Sequence, residues 1–187
     1  MKLTNDNNQL IYLSLLTLDD VSLNYLSWLN NPQVNQFLET RFETQSIESI
    51  SNYIQKSLKN SNEYLFAIRT IEGNKHIGNI KLGPINGNHK IGDISLLIGD
   101  TNFWGKGVAV EAINTITKFA FEQLDLYKIS AGAYAENTAS TKAFIKAGYK
   151  KDGVRRNHFL FQGKYSDLVY VSIENKNLTS KFINAKF

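Results

Sequence analysis

Residues 91–98 form an apolar run, residues 108–124 place their apolar positions at helical spacing, and residues 128–135 return to an apolar run, with Gly105 and Gly107 in the loop that opens the helix. A strand, a long helix and a second strand in that order set the two strands side by side in parallel, because parallel neighbours need a crossover of about a dozen residues or more. The chain ahead of this unit follows another pattern. Residues 64–70, 76–82 and 91–98 read as strands joined by short turns at Glu72-Gly73-Asn74 and at residues 83–88, an antiparallel meander. The fold class is therefore α/β (α+β), a mixed and mostly antiparallel sheet around one parallel unit.

The remaining segments complete about seven strands and about four helices. Residues 10–18 read as a buried strand that ends in a Thr/Asp cluster. Val21, Tyr25, Trp28 and Leu29 share one helical face, and Asn30-Asn31-Pro32 stops that helix. Ile47, Ile50, Ile54 and Leu58 make the stripe of a second helix, with Thr44 or Ser46 as its cap. A short helix opens at Asn137 and closes at Gly148, where glycine supplies the left-handed cap. Residues 149–160, bent near Gly153, and residues 166–174 form a closing hairpin around Gln162-Gly163-Lys164. The length of 187 residues suits a single domain spanning 1–187, and the Asn/Lys-rich residues from about 175 read as a loose polar tail.

Composition narrows the chemistry. The chain has no cysteine, which removes disulfides, a thiolate nucleophile and the common structural zinc sites; His76, His89 and His158 lack metal-ligand spacing, so no metal is expected. A net charge of +4, from 21 Lys+Arg against 17 Asp+Glu spread over the chain, gives no basic stripe, and no nucleic-acid partner is expected. A ribosome- or nucleic-acid-binding domain is the rival that the basic balance favours and the scatter of charge disfavours. Residues 10–18 do not read as a signal peptide, and no segment approaches the ~18 apolar residues of a membrane span, so a cytoplasmic protein without membrane contact is expected.

Free backbone N–H groups and the positive end of the helix at residue 108 favour a phosphate beside Gly105, Lys106 and Gly107. A Walker loop would need Lys-Ser/Thr after its last glycine, and a dinucleotide fingerprint would need a small residue at Val110, so both fail. Trp104-Gly105-Lys106-Gly107-Val108-Ala109, followed by Glu111-Ala112, resembles the acyl-CoA pyrophosphate loop of the GNAT superfamily of N-acetyltransferases in its RimJ/RimL-like branch, with Trp104 in place of Arg or Gln. Asn137-Thr138-Ala139-Ser140, Lys146-Ala147-Gly148-Tyr149, Gly153-Val154-Arg155-Arg156 and residues 163–167 are similar to later segments of that branch, over residues 10–174 in all.

The resemblance implies an acetyl-CoA-dependent N-acetyltransferase acting on a small amine, with room for a homodimer. Its cofactor would contact Leu97 and Ile98 through their backbone, beside Leu96, and would contact residues 104–109, Asn137, Ser140 and Phe144. Asp93 stands where many members carry a basic Glu, against the alternative of a solvated strand residue. Glu111 is explained without catalysis by the helix dipole. Phe144 stands where the family's acid is often Tyr, so that acid is missing; Ser140 could hydrogen-bond the leaving sulfur, and Asn137 could cap its helix and face the cofactor. Without cysteine, the amine attacks directly in a ternary complex.

Acceptor contacts are assigned by the same resemblance to Trp28, Asn30, Asn31, Phe37, Glu39 and Arg41 on one wall, and to Arg155, His158 and Tyr165 opposite. Trp28 also reads as core at its helical spacing. The acceptor is expected to be an amino sugar or nucleotide-linked amino sugar, from the likeness of residues 77–85 to branch members that acetylate amino sugars in surface-polysaccharide pathways. The alternatives are a protein N-terminus, as in ribosomal-protein acetylation, a polyamine, or a non-catalytic acyl-CoA-binding module, which the loss of the phenol at Phe144 favours.

Overall fold

Ile11 and Leu13 are fully buried while Tyr12 and Ser14 alternate with them, and that period of two makes β2 (Ile11–Leu15) a strand with one face on the core. The structure is a computed structural model and describes residues 1–5 and 9–178. A two-residue strand, β1 (Lys2–Leu3), pairs with β2 at the sheet edge. It is too short to show a period, so among the described residues the sheet has eight strands where about seven are expected.

Ser22 caps α1 (Leu23–Asn30), and Asn31 then caps the short α2 (Pro32–Asn35), whose proline needs no N–H at that position. Ser46 and Ser49 bond each other's backbone to open α3 (Ile47–Lys59). Only Ile50 and Ile54 of the expected stripe are buried; Leu58 is 53% exposed and Ile47 41%. β3 (Tyr64–Thr70), β4 (His76–Asn86) and β5 (Ile91–Ile98) form the expected meander, β4 running on past Pro84 through a register shift. α4 (Val108–Glu122) crosses to β6 (Lys128–Tyr134), α5 (Thr138–Lys146) follows, and β7 (Lys150–Phe161) with β8 (Lys164–Glu174) closes the chain's sheet. The expected bend near Gly153 is a shift of register between Lys151 and Gly153.

The strand order is β1-β2-β3-β4-β5-β6-β8-β7, antiparallel except for the parallel pair β5–β6. Two apolar layers cover the sheet. One packs α4 and α5 residues such as Ile113, Ile116 and Phe144 on Phe66, Ile80 and Ile129; the other packs Trp28, Ile50 and Ile54 on Leu65 and Ala67. The loose tail expected from about 175 is corrected at its start: Asn175 donates its N–H to the Tyr127 carbonyl at 2.7 Å, and Leu178 is 5% exposed. Residues 179–187 lie outside the described residues.

One feature of the topology positions everything functional. β5 and β6 are paired only at Ile91–Lys128, Gly92–Ile129 and Asp93–Ser130, while β5 stays with β4 as far as Ile98 and β6 stays with β8 as far as Tyr134. Beyond Asp93 the sheet is therefore open between two neighbouring strands.

Candidate active site

Main-chain direction decides which residues can use this opening. Gly99 donates its N–H to the Ile77 carbonyl at 2.9 Å, and hydrogen-bond direction alternates along an antiparallel strand. Ser95 and Leu97 thus bond back to β4, while Ile94, Leu96 and Ile98 turn their N–H and C=O groups to the gap. That corrects the expectation for Leu97, whose backbone faces Asn79 and whose side chain packs with the α1/α3 layer. Ile98 turns its main chain to the gap as well, and its carbonyl accepts the Trp104 indole N–H at 2.8 Å.

The loop above the gap is anchored before it reaches its glycines. Asp100 accepts the Asn102 N–H at 3.0 Å and meets the Lys75 ammonium at 2.6 Å. Burial pushes the Asp100 carboxyl up, yet Lys75 and Asn102 outweigh it and hold the group below its usual range. Gly105 and Gly107 have φ of +73° and +85°, left-handed values that favour glycine, and a Cβ at either would meet nothing within 4 Å. Gly107 begins α4 without any side-chain cap. The N–H groups at Val108 and Ala109 are thus presented to an open cradle beside Lys106, which fits a phosphate-bearing cofactor.

Glu111 points elsewhere: its carboxylate accepts the N–H groups of Gln9, Leu10 and Ile11 at 3.1 to 3.3 Å. At α5, Asn137 caps the helix through the Ser140 N–H at 3.2 Å, leaving the half-buried Ser140 with a free choice of partner for its hydroxyl. Phe144 is 3% exposed and meets Tyr149 edge-on with ring centres 5.0 Å apart. The neighbouring phenol does not replace the missing one, since the Tyr149 hydroxyl is paired with Thr117 in the core at 2.7 Å and burial raises its pKa.

Asp93 sits at the fork, directly opposite Ser130, and strand alternation puts Ser130 and Tyr134 on one face. Its carboxyl is exposed at the residue level but partly desolvated, which raises its pKa. On that face Tyr134 donates its hydroxyl proton to Glu39 at 3.0 Å and accepts from the Arg41 guanidinium at 2.8 Å. Phe37, Phe159 and Phe161 surround it, with Phe159 stacked 4.3 Å away. Tyr134 is the central residue that sequence reasoning missed, since alternation marks it only as a strand residue. Beside it opens a cleft of about 610 Å³ lined by Asn35, Gln36, Arg41, Glu43, Phe161 and Gln162 among others.

Several expected acceptor contacts are placed differently. Trp28 is 7% exposed, packed flat against Gly99 and edge-on to His76, so it is core. Asn30 is engaged with the Gln45 backbone at 2.8 and 3.0 Å, and Asn31 caps α2. Arg155 lies over the Tyr170 ring at 5.2 Å, and His158 is exposed beside Phe159. Tyr165 pairs with Leu160, one residue out of phase with Phe159 and Phe161; it stands on the opposite face, 70% exposed, and leaves the acceptor set. Among the described residues no cluster could hold a metal ion, and no helix is long and apolar enough to cross a membrane.

Residues 11–150 match the family model described as an acetyltransferase (GNAT) domain. The chain is 31% identical over 122 residues to a probable N-acetyltransferase, YjcK, of Bacillus subtilis, covering 65% of this chain and 67% of that one. It is 26% identical over 174 residues to a spermidine N(1)-acetyltransferase of Vibrio cholerae, covering 92% and 96%. The crystal structure of spermidine N-acetyltransferase from Vibrio cholerae in complex with CoA and spermine superposes with a TM-score of 0.79 at 23% identity, over 95% of this chain and 100% of that one.

Proposed function

Because the chain belongs to the GNAT family of N-acetyltransferases, we propose that it uses acetyl-CoA to acetylate the primary amine of a polyamine-like acceptor. The observation that carries this reading is the opening between β5 and β6 beneath the uncapped start of α4. Its residues fit a long cofactor with a phosphate end: an extended amide arm would pair with Leu96 and Ile94 as an added strand does, and the Gly105–Gly107 cradle would take the phosphates. Acetyl-CoA brings an acetyl group activated as a thioester.

An amine attacks only as the free base, and at neutral pH it is mostly protonated. Asp93 takes that proton at its carboxylate, and its raised pKa makes it a better base near neutrality than an ordinary aspartate. The Ser140 hydroxyl supplies a hydrogen bond toward the departing sulfur in place of the phenol missing at Phe144. Glu39, oriented by Tyr134, offers a carboxylate to a second ammonium of the acceptor, which favours a polyamine. An amino sugar, preferred on sequence grounds, is the second reading; the Gln162 amide in the cleft suits its hydroxyls.

Acetyl-CoA is expected to raise the melting temperature, since a ligand at a hundredfold its Kd adds about 2.7 kcal/mol of stability. No shift at millimolar concentration would sink the cofactor assignment. Thiol release from acetyl-CoA should be fastest with spermidine or spermine in a panel that includes amino sugars, sugar nucleotides and N-terminal peptides. A thermal shift with silence across the panel would leave an acyl-CoA-binding module.

A further inference from the structure

A Cβ at Gly105 or Gly107 would meet nothing within 4 Å, so the space around the two loop glycines is open. Side-chain anchors of the loop stand in the residues that flank them. On the upstream side the last anchor is Trp104, a residue 41% exposed, whose indole N–H bonds the Ile98 carbonyl at 2.8 Å. Ile98 ends β5, and its carbonyl is the outermost main-chain acceptor turned to the gap.

We propose that Trp104 is a positioning residue for the cofactor. Its hydrogen bond pins the loop to the end of β5, which sets where the N–H groups of residues 105–109 meet a phosphate, and it engages the Ile98 carbonyl, so that an extended arm pairs one step deeper, at Leu96 and Ile94. The inference rests on the acetyl-CoA reading and adds to it what the Trp104 indole does at the position where the resembled loop carries Arg or Gln.

Trp104→Phe keeps a ring and removes the donor; Trp104→Gln keeps a donor and removes the ring. With acetyl-CoA titrated calorimetrically, Trp104→Phe is expected to raise Kd about tenfold, a loss of about 1.4 kcal/mol. Its kcat at saturating cofactor and its KM for the amine should stay within about twofold, because the bond orients the cofactor and not the proton transfer. Trp104→Gln should recover most of the affinity, and it carries the test if the phenylalanine variant fails to fold. A Kd for Trp104→Phe equal to that of the wild type overturns the proposal, as does a Trp104→Gln variant as weak as Trp104→Phe, which would trace the effect to the ring. Failure of the wild type itself to bind acetyl-CoA would instead defeat the cofactor assignment.

Discussion

Partial burial raises the Asp93 carboxyl above its ordinary range, so the folded protein holds a proton there that the unfolded chain has already released. This group's contribution to stability is therefore complete below the unfolded pKa and is lost as pH rises through the higher folded one. At neutral pH the ionised carboxylate weakens the fold, and it is this ionised form that the proposed proton transfer needs. Asp93→Asn is therefore expected to lower turnover by about 10²-fold and to erase the acid limb of the kcat/KM profile, with a melting temperature at pH 7 no lower than that of the wild type. Unchanged turnover would remove Asp93 from the mechanism. At this scale the sequence was readable where the signal is local: Gly105, Gly107 and the Asn137 cap lie in short patterns that need no partner. It was silent on Tyr134, whose partners Arg41 and Glu39 are 93 and 95 positions away, and misleading on Leu97 and Tyr165, whose facing depends on a register fixed by another strand.

Between elements, α1 meets Gly99, just past the end of β5, so closely that no side chain fits there. A Cβ on Gly99 would lie 2.0 Å from the Trp28 ring, which is itself held by His76 and Tyr25 at 5.1 and 5.9 Å. Gly99→Ala should destabilise by about 2–3 kcal/mol in urea denaturation, because a rigid indole cannot yield as a flexible side chain would. Burial also lowers the His76 pKa, consistent with a neutral imidazole bonding Asn79 at 2.8 Å in this layer. Strands and helices long enough to show a period were legible, and the capped starts of α3 and α5 fell close to their expected places. β1 and α2 were not, being too short, and Leu58 was assigned inward because periodicity marks a stripe without knowing where the neighbouring layer ends. The wholly polar or exposed run from Lys150 to His158 has its own reason: β7 is the sheet edge, and lysines with register shifts discourage pairing with another chain there.

Across the whole molecule, Glu111 ties the start of the chain to its middle, accepting three N–H groups from residues 100 to 102 positions away. Glu111→Gln would set an amide donor against backbone donors and remove the charge that strengthens the bonds. Its expected effect is a loss of about 1–3 kcal/mol in urea denaturation with turnover at 25 °C retained; a loss of turnover in the folded variant would return Glu111 to the list of catalytic candidates. The order of elements and the single parallel unit were apparent in sequence, because crossover length dictates strand direction. The insertion of β8 between β6 and β7, and the limit of three paired positions between β5 and β6, were not, since both depend on contacts that form only when distant segments meet.

That short parallel pairing has a consequence for how such a site varies over time. A ligand received by peptide groups does not distinguish valine from leucine or isoleucine, so the strand that greets it is free to drift among apolar residues as long as proline stays away from Ile94, Leu96 and Ile98. The side-chain demands of the proposed cofactor site are therefore concentrated in the loop and the start of the following helix, and the longest stretch of the binding surface, being main chain, asks little of the letters that carry it.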